Sequence, residues 1–447
     1  MRTNSFACAS VFNSSTRYDH QTTAYKAQFS AGAAGVGHIT VAPFFSPDHS
    51  ADSTVKYIDS AVSTIEIATP GFESWSKCDQ SPYCDPSDMR AEAFPIFGAL
   101  LNALHRGVAV RIVTNNYNNP AQPSGTVSLL DFLALNGANI SFYTSTTFMH
   151  AKYMAIDGKV VSISSVNYSE TSFMDNREAG LYITGTSIVK FCAKVFDYDF
   201  AAATPLIPAS YTQSEMKIIT DPTQIKVRVT LLTISQLTLQ PQCTQNTRLP
   251  HSNVYPPQVV VPPSPVIHGA YVTDYPAPIS ISSHWTVYAS PDGANSFLMT
   301  ALKSATKSLH VYTYQITDDA SISGTECGEL IALYKAGLDV VLLVSNQIYD
   351  QYDSKEAAKC YAQLVSACVN VTKAPSYYSY SHNKYAIIDG TTVLLSTGNW
   401  SPSDFPATAS ECVAPLAFAA PFMCRSVYVQ RNRTAGTLPP AMPAGRL

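Results

Sequence analysis

FMHAKYMAIDGKVVSISSVNYS, residues 148–169, and YSHNKYAIIDGTTVLLSTGNWS, residues 380–401, are two versions of one pattern. Aligned on His150 and His382, Lys152 matches Lys384, Asp157-Gly158 matches Asp389-Gly390, and Asn167 matches Asn399, with 17 residues from each His to its Asn. Residues i and i+2 of a strand share a face, so each His projects beside its Lys. Asp-Gly is a strong hairpin signal. Val160, Val161 and Ile163 form the return strand of the first copy, and Val393, Leu394 and Leu395 that of the second. Each hairpin then delivers an Asn, with the hydroxyls of Ser165 and Thr397 nearby, to a loop that turns back toward the histidines. The two aspartates read as turn residues rather than catalytic groups.

The duplication extends upstream. FSPDHSADSTVKYIDSAVSTIEIATPGF (45–72) echoes ASPDGANSFLMTALKSATKSLHVYTYQI (289–316), each an amphipathic helix leading into an alternating strand. FGALLNALHRGVAVRIVTNN (97–116) and ELIALYKAGLDVVLLVSNQ (329–347) add a helix and a strand, with Gly107 and Gly337 where each helix should stop. Such alternation predicts an α/β sandwich in each half. A Pro-rich stretch from Pro241 to Pro278 reads as a linker. The expected organisation is an N-terminal extension (1–39), a first domain (40–240), a linker (241–283) and a second domain (284–447). Residues 217–239, rich in Thr and β-formers, are expected to add strands to the first half.

With 447 residues the chain is long enough for two buried cores, and 46% hydrophobic residues predict a globular protein. Charged residues make up only 13%, about half the usual share, a balance typical of secreted or lumenal proteins. A net charge of −4 without a Lys/Arg run excludes a broad electrostatic footprint for duplex nucleic acid. No apolar run reaches membrane-spanning length. MRTNSFACASVFNSSTR lacks an apolar leader core, so either that secretory route is not used or a leader lies outside this chain. The ten cysteines include no CxxC pair, which argues against structural zinc. Cys78/Cys84, Cys360/Cys368 and Cys412/Cys424 are candidate local disulfides, and Asn13, Asn139, Asn370 and Asn432 open glycosylation triplets.

Two His, two Lys and two Asn are what a metal-free phosphodiesterase needs. A neutral imidazole attacks phosphorus to give a phosphohistidine, and a protonated one gives its proton to the leaving oxygen. Ammonium and amide groups hold the nonbridging oxygens. His105, His284 and His310 have no counterpart in the other half and read as ordinary surface or core residues. The pattern resembles the phospholipase D superfamily, whose motif runs H-x-K-x4-D-x6-G-S-x-N. Both copies fit its spacing, with Ser164-Ser165 and Ser396-Thr397 in place of Gly-Ser. The resemblance covers most of residues 40–210 and 285–412. It implies two α/β halves with mixed sheets about a pseudo-twofold axis, one shared site built from His150, Lys152, Asn167, His382, Lys384 and Asn399, and no cofactor. It also implies an acidic residue behind each histidine, with Glu178 in the first half and Glu411 in the second as the candidates. By the same similarity His150 is the nucleophile and His382 the acid.

The family covers several phosphodiesters, so the fold does not choose the substrate. A phospholipid at a membrane surface is favoured by the lack of basic patches and by apolar stretches such as VAPLAFAAPFMC (413–424), itself expected to pack in the core or a loop. Single-stranded nucleic acid in an acid lumenal compartment is the alternative, with Tyr377, Tyr378 and Tyr380 before His382 available to stack bases. An inactive binding module is the third reading, which two intact His-Lys-Asn sets disfavour. Oligomeric state is not legible in the sequence.

Overall fold

The computed structural model describes residues 28–29, 31–73, 83–84, 95–115, 127–143, 149–208, 276–317, 325–376, 378–406 and 424–431. The first-half strands are β1 (Ala33–Ser46), β2 (Thr64–Ala68), β3 (Tyr83–Cys84), β4 (Ala109–Asn115), β5 (Val127–Ser128), β6 (Asn139–Tyr143), β7 (Tyr153–Ile156), β8 (Val160–Ser164), β9 (Glu178–Thr184) and β10 (Thr204–Pro205). Those of the second half are β11 (Ile279–Ala289), β12 (Ser308–Thr313), β13 (Asp339–Val344), β14 (Asn370–Lys373), β15 (Lys384–Ile388), β16 (Thr392–Ser396) and β17 (Cys424–Arg431). One mixed sheet of 15 strands runs β10-β6-β4-β2-β7-β8-β9-β1-β11-β17-β16-β15-β12-β13-β14, and β3 pairs with β5 apart from it.

Read outward from the β1–β11 junction, the order β9-β8-β7-β2-β4-β6 is mirrored by β17-β16-β15-β12-β13-β14. The directions match too: β2–β4 and β4–β6 are parallel, as are β12–β13 and β13–β14, while both motif hairpins are antiparallel. The expected two α/β halves about a pseudo-twofold axis are present, and β1 pairs antiparallel with β11 across that axis from Ala33↔Val287 to Val41↔Ile279. Both strands start earlier than the borders set at 40 and 284, in Gly/Ala/Ser-rich segments of low intrinsic β preference that are held by pairing with each other.

Helices cover the sheet. In the first half Ser50–Asp59 turns Ala51, Val55 and Ile58 inward, and Pro95–His105 buries Ile96, Leu100 and Leu101. They meet Ile65, Ile67 and Ile112 of the sheet in one core. Helices Ala294–Lys303, Glu326–Lys335 and Gln351–Ser366 build the matching core of the second half around Leu309, Val311 and Trp400. Burying one such side chain is worth about 1.5–3 kcal/mol. On the opposite face, helix Thr186–Ala202 packs under both halves through Val189, Val195 and Phe196, which share a cluster with Trp285 and Val287. Gly107 and Gly337 end their helices in the left-handed region, at φ 85° and 92°.

The Cys360/Cys368 pairing expected from proximity does not form. Cys360 faces the core from its helix and is bonded to Cys327 on the neighbouring helix, whose Cα lies 5.9 Å away. Cys368 sits past the end of that helix, exposed and free. The pairs Cys78/Cys84 and Cys412/Cys424, residues 217–239, most of the linker and VAPLAFAAPFMC up to its last residue lie outside the described residues, and nothing is described of the Cys84 and Cys424 side chains. Among the described residues no helix is long and apolar enough to cross a membrane.

Both motif aspartates hold turns, as their sequence reads. Each adopts φ 52°, which Asp tolerates better than most residues. Asp157 accepts N–H groups of Val62, Ser63 and Thr64 at 2.8–3.3 Å, and Asp389 those of Thr306, Lys307 and Ser308 at 2.8–3.1 Å. Each carboxylate thereby fastens its hairpin to the start of the neighbouring strand. Partial burial opposes ionisation at Asp389, but the bonds from Ser308, Thr306 and Lys307 outweigh it and hold the carboxyl at about 2. Asp157 is lowered for the same reasons. A depressed carboxyl contributes stability above its unfolded value of about 3.9 and loses it as pH falls through the folded value. Asp157→Ala and Asp389→Ala should each cost about 1–2 kcal/mol, as loss of a helix cap does. In urea unfolding at pH 7, a change under a few tenths of a kcal/mol would refute this role.

Candidate active site

Both motifs meet where the two halves face each other. Lys152 at the head of β7 and Lys384 at the start of β15 are buried, at 1% and 0% exposure. Each Nζ donates to the carbonyl of its own motif histidine, Lys152 to His150 at 2.7 Å and Lys384 to His382 at 2.8 Å. Lys152 also reaches the carbonyl of Thr397 in the other half at 3.5 Å. Short segments cross between the halves here: His382 donates its N–H to the Arg177 carbonyl at 2.8 Å, and Arg177 returns one to Tyr380 at 3.0 Å. The Arg177 guanidinium is wedged over Phe45 of one half and Tyr378 of the other while bonding Asp48 at 3.0 Å.

The histidines exchange partners. His382 turns its Nδ1 to both oxygens of Glu178, at 3.0 and 3.1 Å, and to the Ser165 carbonyl at 3.1 Å, all in the first half. His150 turns its Nδ1 to Asp404 of the second half at 3.2 Å. These partners are acceptors, so each Nδ1 carries a proton and each Nε2 is left as a base or nucleophile. Glu178 is therefore the partner of the other half's histidine. Glu411 lies outside the described residues, and the carboxylate behind His150 is Asp404, which the sequence reading passed over. The sequence signal for it is the acidic residue that ends NWSPSD, five residues past Asn399, where Ser401 and Asp404 close a tight turn: Asp404 accepts the Asn399 N–H at 3.0 Å and its own N–H bonds the Ser401 carbonyl at 3.0 Å.

Asn167 and Asn399 sit just past the two return strands, and the carboxamide oxygen of each is buried without a hydrogen-bond partner among the described residues. The Thr397 hydroxyl is equally unspent, whereas Ser165 Oγ is used to hold β9, accepting the Ala179 N–H at 3.1 Å. Tyr380 packs edge-on against His382, with ring centroids 5.7 Å apart. Tyr378 is buried under Arg177, so it is not a stacking platform, and Tyr377 is outside the described residues. His105 and His310 bond Asn136 and Asp339 at the surface, and His284 is exposed on β11, all apart from the site. Among the described residues no group of three or more His, Cys, Asp or Glu is arranged to hold a metal ion.

Burial lowers the His150 imidazole most, the Lys152 and Lys384 cations add to it and Asp404 opposes, leaving it at about 3. Burial likewise lowers His382; Glu178 opposes, Lys384 and Lys152 assist, and it stands at about 4. Each imidazole thus feels the lysines of both halves, which marks one shared site. Burial also brings the Lys384 ammonium down to about 7, against the pull of Glu178 and Asp404. A buried cluster of cations with neutral imidazoles is suited to an anion, whose arrival would restore the histidine charge.

A family profile described as "Cardiolipin synthase, PLD-like domain" matches residues 54–200 and 298–414, more than half of the chain. Similar curated proteins include a cardiolipin synthase of Oceanobacillus iheyensis, 28% identical over 141 residues, which are 32% of this chain and 28% of that enzyme. The mitochondrial cardiolipin hydrolase of Xenopus laevis is 28% identical over 157 residues, 35% of this chain and 69% of its own. The match thus spans just over a quarter of the first enzyme and about two thirds of the second. Among solved structures, the phosphatidylserine synthase of Haemophilus influenzae superposes with a TM-score of 0.49 at 12% identity, over 87% of this chain and 82% of that one. Nuc, a phospholipase D family member of Salmonella typhimurium, covers 38% of this chain and 98% of its own, with a TM-score of 0.29 at 17% identity.

Deprotonation of Lys384 removes positive charge, so anion affinity should fall as pH rises through about 7. Titrating sulfate, whose own charge is constant there, should show affinity dropping several-fold between pH 6 and pH 8, by calorimetry. The drop should be smaller in Lys384→Met, where only the proton uptake of the histidines remains, and a flat wild-type profile would contradict the assignment.

Proposed function

Because the chain belongs to the phospholipase D superfamily, we propose that it is a phosphodiesterase that cleaves a glycerophospholipid on its headgroup side through a phosphohistidine. The observation that carries this reading is the exchanged pair of imidazole–carboxylate contacts, Glu178 to His382 and Asp404 to His150, around two buried lysines. The names of the curated relatives, a cardiolipin synthase and a cardiolipin hydrolase, favour a phospholipid substrate over nucleic acid.

In the proposed reaction Lys152, Lys384, Asn167 and Asn399 hold the nonbridging oxygens, and the anion they bind raises the histidine pKa values from their low resting state. His150 Nε2 attacks phosphorus, and protonated His382 delivers its proton to the departing ester oxygen. Water, activated by the now neutral His382, then cleaves the P–N bond and regenerates His150. An alcohol in place of that water would give transfer instead of hydrolysis, a second outcome that the synthase relatives favour. One contact supports the division of roles: His382 Nδ1 faces both Glu178 oxygens and the Ser165 carbonyl, so its imidazolium is well stabilised for the role of acid.

The disulfide Cys327–Cys360 supports an oxidising, secreted or lumenal setting, and Asn139 and Asn370, at the exposed starts of equivalent strands, are accessible to glycosylation.

The test is to incubate the protein with EDTA and either phosphatidylcholine vesicles or a short single-stranded oligonucleotide, at pH 5 and pH 7, and to identify products by mass. Phosphatidic acid with an intact oligonucleotide is expected. Stepwise nucleotide release with intact lipid would move the substrate to nucleic acid. His150→Asn and His382→Asn should each cut kcat by at least about 10³-fold, a loss typical of a nucleophile or general acid, without lowering the unfolding midpoint. Asp404→Asn should cost less than either, because it only orients and polarises His150. A near-wild-type rate in either histidine variant would refute the shared site.

A further inference from the structure

The two halves are alike around the phosphate-binding residues and unlike one step away. Where the first half has Pro70-Gly71 after β2, the second has Tyr314-Gln315 after β12, at positions aligned by the repeat and by the matching bridges Phe72↔Tyr168 and Ile316↔Trp400. Tyr314 lies 5.0 Å from the His382 ring, centroid to centroid, and its face is 5.4 Å from Lys384 Nζ. Its hydroxyl accepts the N–H of Tyr349 at 3.0 Å, and Tyr349 meets Tyr380 edge to face at 4.6 Å. Tyr349 is 37% exposed, so this wall of rings leads from the histidine to solvent.

Behind the rings are acceptors. Gln315 is 1% exposed and donates Nε2 to Asp353 Oδ2 at 2.8 Å. Its carboxamide oxygen, on the same carbon and so beside the same carboxylate, is buried with no hydrogen-bond partner among the described residues. Asp350 follows Tyr349 and caps the next helix, accepting the Asp353 N–H at 3.0 Å. That capping explains Asp350, but it does not explain why Asp353 is turned inward onto a buried carboxamide. Electron-rich ring faces, a carboxylate and an unpaired amide oxygen are together a recognition set for a cation bearing N–H donors. They are also a poor surface for a polyanionic strand.

We infer that the second half carries a subsite for the primary ammonium of an amino-alcohol headgroup, formed by Tyr314, Gln315, Tyr349, Asp353 and Tyr380 beside His382. The inference rests on the phosphodiesterase reading and names the headgroup class that site would take. The lysines hold the phosphate, and the acidic, aromatic wall holds the ammonium of the ester arm that departs with the proton from His382.

The test presents phosphatidylethanolamine and phosphatidylglycerol separately in the same detergent micelles to the full chain, with bis(4-nitrophenyl) phosphate as a diester that lacks both headgroup and lipid. Wild-type kcat/KM should favour the ethanolamine lipid by at least about tenfold, the scale of one buried ionic contact. Asp353→Asn should cut that preference at least about fivefold, and Gln315→Met, which keeps length but removes the acceptor, should cut it in the same direction. A wild-type ratio near one, or a ratio unchanged in both variants, overturns the subsite while hydrolysis of the simple diester leaves the phosphodiesterase reading standing. No turnover of the lipids or of the simple diester would remove that reading and the subsite with it.

Discussion

The antiparallel ladder between β1 and β11 is the constraint from which the site follows. It joins two similar sheets edge to edge about a pseudo-twofold axis, and it sets where residues of one half fall on the other. A slip of one residue would turn every side chain of the shifted strand to the opposite face. The register is held from both sides, by β9 on β1 and by β17 on β11, and from below by helix Thr186–Ala202, whose cluster includes Trp285 and Val287. With that register fixed, Glu178 at the head of β9 comes opposite His382, and Asp404 comes opposite His150.

The site is stabilised less by each motif than by what the other half supplies. Two buried ammonium groups and two buried imidazoles are costly to dehydrate. The depressed values at His150, His382 and Lys384 record that cost. Carboxylates from across the interface, carbonyls of the motif histidines and the face of Tyr314 offset it. The carboxamide oxygens of Asn167 and Asn399 and the hydroxyl of Thr397, buried without a partner among the described residues, add to that cost.

Much of this was legible in the sequence because the chain repeats itself. The paired His-x-Lys spacing located the two motifs, although both histidines fall just before β7 and β15 rather than on them, Asp-Gly placed the turns at 157–158 and 389–390, and the matched Asn residues pointed to one chemistry. What was not legible depends on contacts between distant segments. Cys360 chose Cys327, 33 residues back, over the nearer Cys368, because two packed helices brought the former pair together. Glu178 could be found by position but not assigned to His382, since the exchange exists only once the halves meet. Asp404 has no repeat counterpart, as it comes from a loop whereas Glu178 comes from a strand, so the comparison that paired the His, Lys and Asn residues was blind to it.

The loss of likeness at Pro70-Gly71 and Tyr314-Gln315 has a geometric consequence. A phosphodiester has its own local twofold axis through phosphorus, relating its two nonbridging oxygens to each other and its two ester oxygens to each other. A pocket with the same axis can offer equal Lys and Asn groups to the first pair and an imidazole on either side of phosphorus, one to attack it and one to meet the departing ester oxygen. The arms beyond those ester oxygens have no such symmetry. A duplicated chain can therefore keep its copies identical as far as the phosphorus demands and let them drift apart beyond it, which a dimer of identical halves could not do.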